Sequence, residues 1–114
     1  MKHIREINLE LGRPTADEAL RRLESELHAA KSMHAPVLKI IHGYGSSGKG
    51  GRIRTACRTY LRQMLESGQI HDVIRGEDFS LFNETTRSAF RMCDALRQDH
   101  DLDNYNNGIT FVIF

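Results

Sequence analysis

The segment His42-Gly43-Tyr44-Gly45-Ser46-Ser47-Gly48-Lys49-Gly50-Gly51 packs five glycines, an imidazole and an ammonium into ten residues. Glycine at that density cannot continue a helix or a strand, so the segment is a loop with backbone amides left unshielded by Cβ atoms. Such amides beside a cation suit phosphate oxygens. Several readings fit. Gly43-x-x-x-x-Gly48-Lys49 has the spacing of a nucleotide-binding P-loop, but Gly50 stands where a Ser or Thr would hold magnesium, and no acidic strand end follows. A purely structural loop accounts for the glycines. It does not account for His42 at the carboxyl end of a strand, the place where open α/β sheets collect ligands. His42 titrates near neutrality and is a candidate acid or base, against the plainer alternative of a strand-ending histidine bonded to a turn carbonyl.

Charge supports an anion site. The formal net charge is only +1, but residues 27–65 hold seven cations (Lys31, Lys39, Lys49, Arg52, Arg54, Arg58, Arg62) and no Asp or Glu. Residues 66–114 hold four cations against nine acids. Arg54, Arg58 and Arg62 recur every fourth residue and so share one side of a helix. With no acid between Leu27 and Leu65 they have no partner one turn away, and such a row suits phosphates along a strand. Tyr44 is placed to stack on a base or, equally, to cover a helix end. Lys49, Arg52 and the amides of Gly43 and Gly45 complete the candidate binding set.

The elements that position these residues read as follows. Ile7, Leu9 and Leu11 alternate with polar residues, the period of a half-buried strand. Thr15-Ala16-Asp17-Glu18 fits a capping box and opens a helix over about 16–32. Val37–Ile41 is a buried strand after Pro36. A second helix spans about 52–66 with Ile53, Cys57, Leu61 and Met64 inward, closed near Gly68. Residues 70–75 form a third strand, 85–98 a third helix, 98–107 a loop, and 109–114 a final apolar strand. The order β-α-β-α-β-α-β predicts an α/β two-layer sandwich on a four-stranded mixed sheet, with one polar face on strand one left uncovered.

The chain's 114 residues suit one domain, 1–114, with 39% apolar and 27% charged residues against disorder or low complexity. No apolar run reaches the ~20 residues of a membrane span, and no secretory stretch opens the chain, so a cytoplasmic location is expected. Cys57 and Cys93 are too few and too isolated for a disulfide framework or a zinc site, so no metal site is expected.

Leu9-Glu10-Leu11-Gly12-Arg13-Pro14-Thr15, then Val37–Ile41 followed by His42-Gly43-Tyr44-Gly45, then Arg54 on a helix, resembles the Smr (small MutS-related) domain family, as does the ending Asn107-Gly108-Ile109-Thr110-Phe111-Val112-Ile113. That family pairs an LDxH motif at strand one with HGxG after strand two. The resemblance implies a fold similar to the C-terminal domain of translation initiation factor three, nucleic-acid binding, and DNA-nicking or RNA-cleaving activity in several members. Carried over, His42, Gly43 and Gly45 match HGxG, and Glu10 takes the Asp position of LDxH. Gly12 occupies the histidine position, and residues 77–107 have no obvious counterpart.

Cleavage needs a base, charge stabilisation and a protonated leaving group. His42 and Glu10 are the candidate catalytic pair, with a divalent metal as the only cofactor a nuclease version would add. With the second histidine missing, binding to DNA or RNA with weak or lost cleavage is the expected function. The alternative is a protein-interaction module docking through the acidic C-terminal third; a small phosphorylated ligand in the loop is a third option.

Overall fold

A computed structural model describes residues 3–44 and 50–114. Four strands, β1 (Ile4–Asn8), β2 (Val37–Ile41), β3 (Asp72–Arg75) and β4 (Ile109–Ile113), and three helices, α1 (Ala16–Ser32), α2 (Gly50–Glu66) and α3 (Glu84–Met92), alternate along the chain. The sheet order is β1-β2-β4-β3, with β1 parallel to β2 and β4 antiparallel to both of its neighbours. β1, β2 and β3 therefore run the same way. Their carboxyl ends and the start of β4 share one end of the sheet.

α1 begins where the sequence signals it. Thr15 Oγ1 accepts from the Glu18 amide at 3.2 Å while the Glu18 carboxylate accepts from the Thr15 amide at 3.3 Å. Ala19, Leu23, Leu27 and Ala30, spaced by three or four, are its buried face. Ala19, Leu23 and Leu27 meet Leu38, Ile40 and Val112 of the sheet together with Cys57 and Leu61 of α2. This α/β sandwich on a mixed four-stranded sheet is the one that the alternation predicts.

The other face of the sheet, expected to be uncovered, is covered too. Val37, Ile74, Ile109, Phe111 and Ile113 pack there against Phe79, Phe90, Cys93 and Leu96. The segment beyond β3 supplies this cover through a 3-10 turn (Gly76–Asp78), α3 and a second 3-10 turn (Asp94–Gln98). β4, with a face in each core, is buried at all five positions.

α2 starts at Gly50, two residues inside the expected loop, and β3 at Asp72 rather than 70, and two further boundaries differ more. The first strand occupies residues 4–8 rather than 7–11. Leu9 is still buried, but Asn8 Oδ1 accepts from the Glu10 amide, and Gly12 and Arg13 take positive φ, so the alternating residues 9–11 already belong to a turn. The helix expected over 85–98 breaks at Cys93, whose backbone is extended (φ −149°, ψ 98°). Phe90, Cys93 and Leu96 are buried on both sides of the break, so the apolar period carries no trace of it.

One cation of the basic segment is removed from the count by this packing. Lys39, in the centre of β2, is buried on the second face, where its ammonium donates to Asp99 at 3.0 Å and Asp101 at 2.7 Å. Burial alone would lower its pKa; the two carboxylates outweigh that and raise it. Lys39 ties the loop before β4 to the sheet and offers no charge to a ligand.

Candidate functional site

Four connections meet at the carboxyl end of β1, β2 and β3. They are the turn after β1, the chain leaving β2, the turn after β3 and the loop entering β4. The amides of His42 and Gly43 both donate to the Gly108 carbonyl at 3.0 Å. Gly43 has φ +75°, and a Cβ there would lie 1.6 Å from Glu10 Oε1, so the Glu10 carboxylate rests directly on the Gly43 backbone. A glycine at 43 is thus required twice, by its dihedral and by its neighbour. Glu10 and Gly43 come together as the parallel pairing of β1 with β2 demands. Tyr44 is 58% exposed, and its ring packs over Gly108, where a Cβ would be 3.1 Å from Tyr44 Cδ1.

His42 is not at the surface. It is fully buried, and both ring nitrogens are engaged: Nδ1 with the Gly43 carbonyl and Nε2 with Thr110 Oγ1, each at 2.8 Å. A carbonyl only accepts, so Nδ1 carries the hydrogen and Nε2 accepts from the Thr110 hydroxyl. Burial drives the pKa down to about 4, with the charges of Arg58 and Arg54 pushing the same way. The imidazole is therefore neutral near pH 7. Of the two readings of His42, this geometry is that of a strand-ending histidine bonded to a turn carbonyl, its ring locked between a strand and a turn.

Arg58 is engaged internally in the same way. Its Nε donates to Thr110 Oγ1 at 3.1 Å, its Nη2 to the Ile109 carbonyl at 3.1 Å, and its guanidinium grips Glu77 through bonds of 2.9 and 2.7 Å. The row of three arginines had no acid nearby in sequence, yet Glu77, beyond β3, folds against its middle member. Burial would raise the Glu77 pKa, but Arg58 overrides that and holds the carboxyl below the usual range. Arg58 is thus a structural clamp from α2 to β4 and the turn after β3.

The remaining arginines divide. Arg54, half-buried one turn before Arg58, lies close enough to His42 to disfavour its protonation, and Arg52 is exposed in the first turn of α2. Arg62 is exposed two turns further along, ~12 Å from Arg54 down the helix and away from the loop end. Gly45 and Lys49 lie outside the described residues. The turn after β1 adds two cations that the sequence reading did not single out. Arg13 is exposed with φ +51°, and Arg22 of α1 donates to the Leu11 carbonyl with Nη2 3.7 Å from the site of a Gly12 Cβ. Gly12 itself has φ +80°, a backbone that suits glycine rather than the histidine the motif would carry.

Thr110 and Glu77 were also missed. Thr110 had a readable signal, the only hydroxyl in an otherwise apolar final strand. Glu77 had none, because its partner is nineteen residues away. For a metal, Glu10 is the exposed carboxylate at this end. Among the described residues the one cluster of three possible ligands is Asp99, His100 and Asp101, and both of its carboxylates already face Lys39.

A β1–α1–β2 unit whose LDxH-like and HGxG turns touch defines an Smr-type fold. The sequence matches the Smr domain family over residues 9–78, more than half its length, and the chain belongs to that family. The crystal structure of the Smr domain of Thermus thermophilus MutS2 superposes with a TM-score of 0.57 at 20% identity, over 96% of this chain and 95% of that one. No curated protein matches the sequence. The family match contains Glu10, His42, Arg58 and Glu77 and stops short of α3 and of Thr110 on β4.

Proposed function

We propose that this Smr domain binds the phosphodiester backbone of a nucleic acid at the loop end of its sheet, with cleavage weak or lost. One observation carries the reading. Arg13 on the turn after β1, Arg22 in the second turn of α1, and Arg52 and Arg54 at the start of α2 make no ion pair among the described residues, whereas Lys39 and Arg58 are neutralised inside the fold. The amino terminus of α2 adds its partial positive charge at the same place.

Hydrolysis is disfavoured by what the fold does to the acid–base groups. His42 is buried and neutral with both nitrogens occupied, and Gly12 supplies no imidazole. Glu10 remains as the exposed carboxylate able to orient a water or share a divalent ion, and a lone base without a partner acid is a poor nuclease. Incubating supercoiled plasmid and a single-stranded RNA with the protein in magnesium or manganese tests this. Little or no nicking above background is expected, and efficient nicking lost in Glu10→Gln would overturn the binding-only reading.

Docking of a protein through the C-terminal third is the second reading, favoured by the exposure of Phe82 (90%) and Leu81. Its acidic character is largely spent internally, since Glu77, Asp78, Asp94, Asp99 and Asp101 each pair with a cation of this chain. Filter binding with DNA and RNA at low salt separates the two readings, because an apolar docking tip gives no salt-dependent retention of nucleic acid.

A further inference from the structure

Phosphate contacts fix position and orientation and do not read bases. The side chains around the proposed site include groups that can meet bases. Two of its loops present exposed tyrosines, Tyr44 at 58% and Tyr105 at 70% exposure. Their connections are joined at Gly108, whose carbonyl accepts from His42 and Gly43 and whose amide donates to Asn106 Oδ1 at 2.9 Å. Tyr44 packs over Gly108, and Tyr105 is the residue before Asn106.

Tyr105 is exposed on a braced loop. Its φ of +55° lies in the left-handed region that an aromatic residue seldom takes. The loop that imposes it is braced at several points. Lys39 holds Asp99 and Asp101, Asp101 Oδ1 accepts from the Asn106 amide side chain at 3.0 Å, and the Asp103 amide donates to the Phe79 carbonyl at 2.9 Å. An exposed ring carried on a braced backbone costs little ordering when it meets a ligand with a flat π-face. Bases within a continuous duplex have no such face free, whereas unpaired bases do.

We infer that Tyr105 and Tyr44 form a stacking subsite for unpaired bases, so that the site takes single-stranded stretches of nucleic acid in preference to continuous duplex. This rests on the phosphate-binding reading above. It adds a strand preference and a residue, Tyr105, from a part of the chain outside the family match.

The test measures fluorescence anisotropy of a labelled single strand of about twelve nucleotides and of the same sequence closed into a hairpin duplex. Tyr105→Asn keeps a residue tolerant of the left-handed backbone and removes the ring; Tyr105→Phe keeps the ring. The expected result is tighter binding of the single strand, weakened about ten-fold by Tyr105→Asn, restored by Tyr105→Phe, with duplex affinity unmoved. The inference is overturned if Tyr105→Asn leaves single-strand affinity unchanged or weakens both forms equally. Arg54→Ala tells the two failures apart: if it weakens binding while Tyr105→Asn does not, the phosphate reading stands and stacking falls. If neither oligonucleotide binds, both fall. A protein ligand lost on Tyr105→Asn without any nucleic-acid effect would assign the ring to protein docking and refute the inference.

Discussion

Arg58 and Glu77 form a two-pronged ion pair across nineteen residues, and the same guanidinium reaches Thr110, whose hydroxyl donates to His42. A chain of donors thus runs from the turn after β3 through α2 and β4 to the glycine that follows β2. It converts an arginine that reads as a ligand contact into a strut. Arg58→Ala should cost about 2 kcal/mol, less than a fully buried pair because Glu77 is partly exposed. Arg54→Ala should leave the urea midpoint nearly unchanged. Equal stability losses for the two substitutions would contradict the distinction between strut and contact.

His42 makes stability depend on pH. Its folded pKa, about 4, is below the ordinary value of 6.5, so the unfolded chain binds the extra proton first on acidification. The contribution is complete above pH 6.5 and is lost as pH falls toward 4, on the order of 3 kcal/mol in all. Nitrogen-15 spectra should show His42 with hydrogen on Nδ1 and a bare Nε2 from pH 7 down to about 5. A histidine resonance for this ring titrating near 6.5 would refute the buried, neutral assignment.

Lys39 should be the most sensitive charged position in the sheet. Lys39→Met leaves Asp99 and Asp101 facing each other without a cation and should lower stability by about 3–5 kcal/mol. Replacing all three together, with Asp99→Asn and Asp101→Asn, should recover much of that loss in urea denaturation. A mild effect of Lys39→Met alone would mean that the ion cluster does not hold the loop before β4.

Cys57 is buried in α2, and burial pushes its thiol pKa up to about 12. It should resist iodoacetamide at pH 8 in the folded protein and react on unfolding. Rapid alkylation of Cys57 in native conditions would show that α2 does not pack as described.

What could be read from sequence followed the range of the physics. The α1 start was legible because Thr15 and Glu18 are three residues apart, and the α2 face because Ile53, Cys57, Leu61 and Met64 repeat within one helix. The contact of Glu10 with Gly43 follows from two motifs on neighbouring parallel strands. The fates of Lys39 and Arg58 were hidden, because their acids lie sixty and nineteen residues away and charge counting along the chain sees only near neighbours. Gly12 could be read as a missing histidine, but not as a left-handed turn with the Arg22 guanidinium beside it.

The central claim is that the guanidinium groups left unpaired at the loop end seat phosphodiester oxygens. Its most direct test is the slope of log affinity against log salt for a single-stranded oligonucleotide. Four contacts from Arg13, Arg22, Arg52 and Arg54 predict a slope of about −3, reduced by roughly 0.7 in Arg54→Ala and untouched in Arg62→Ala. Affinity no better than millimolar at low salt, or a slope of zero, would contradict the account.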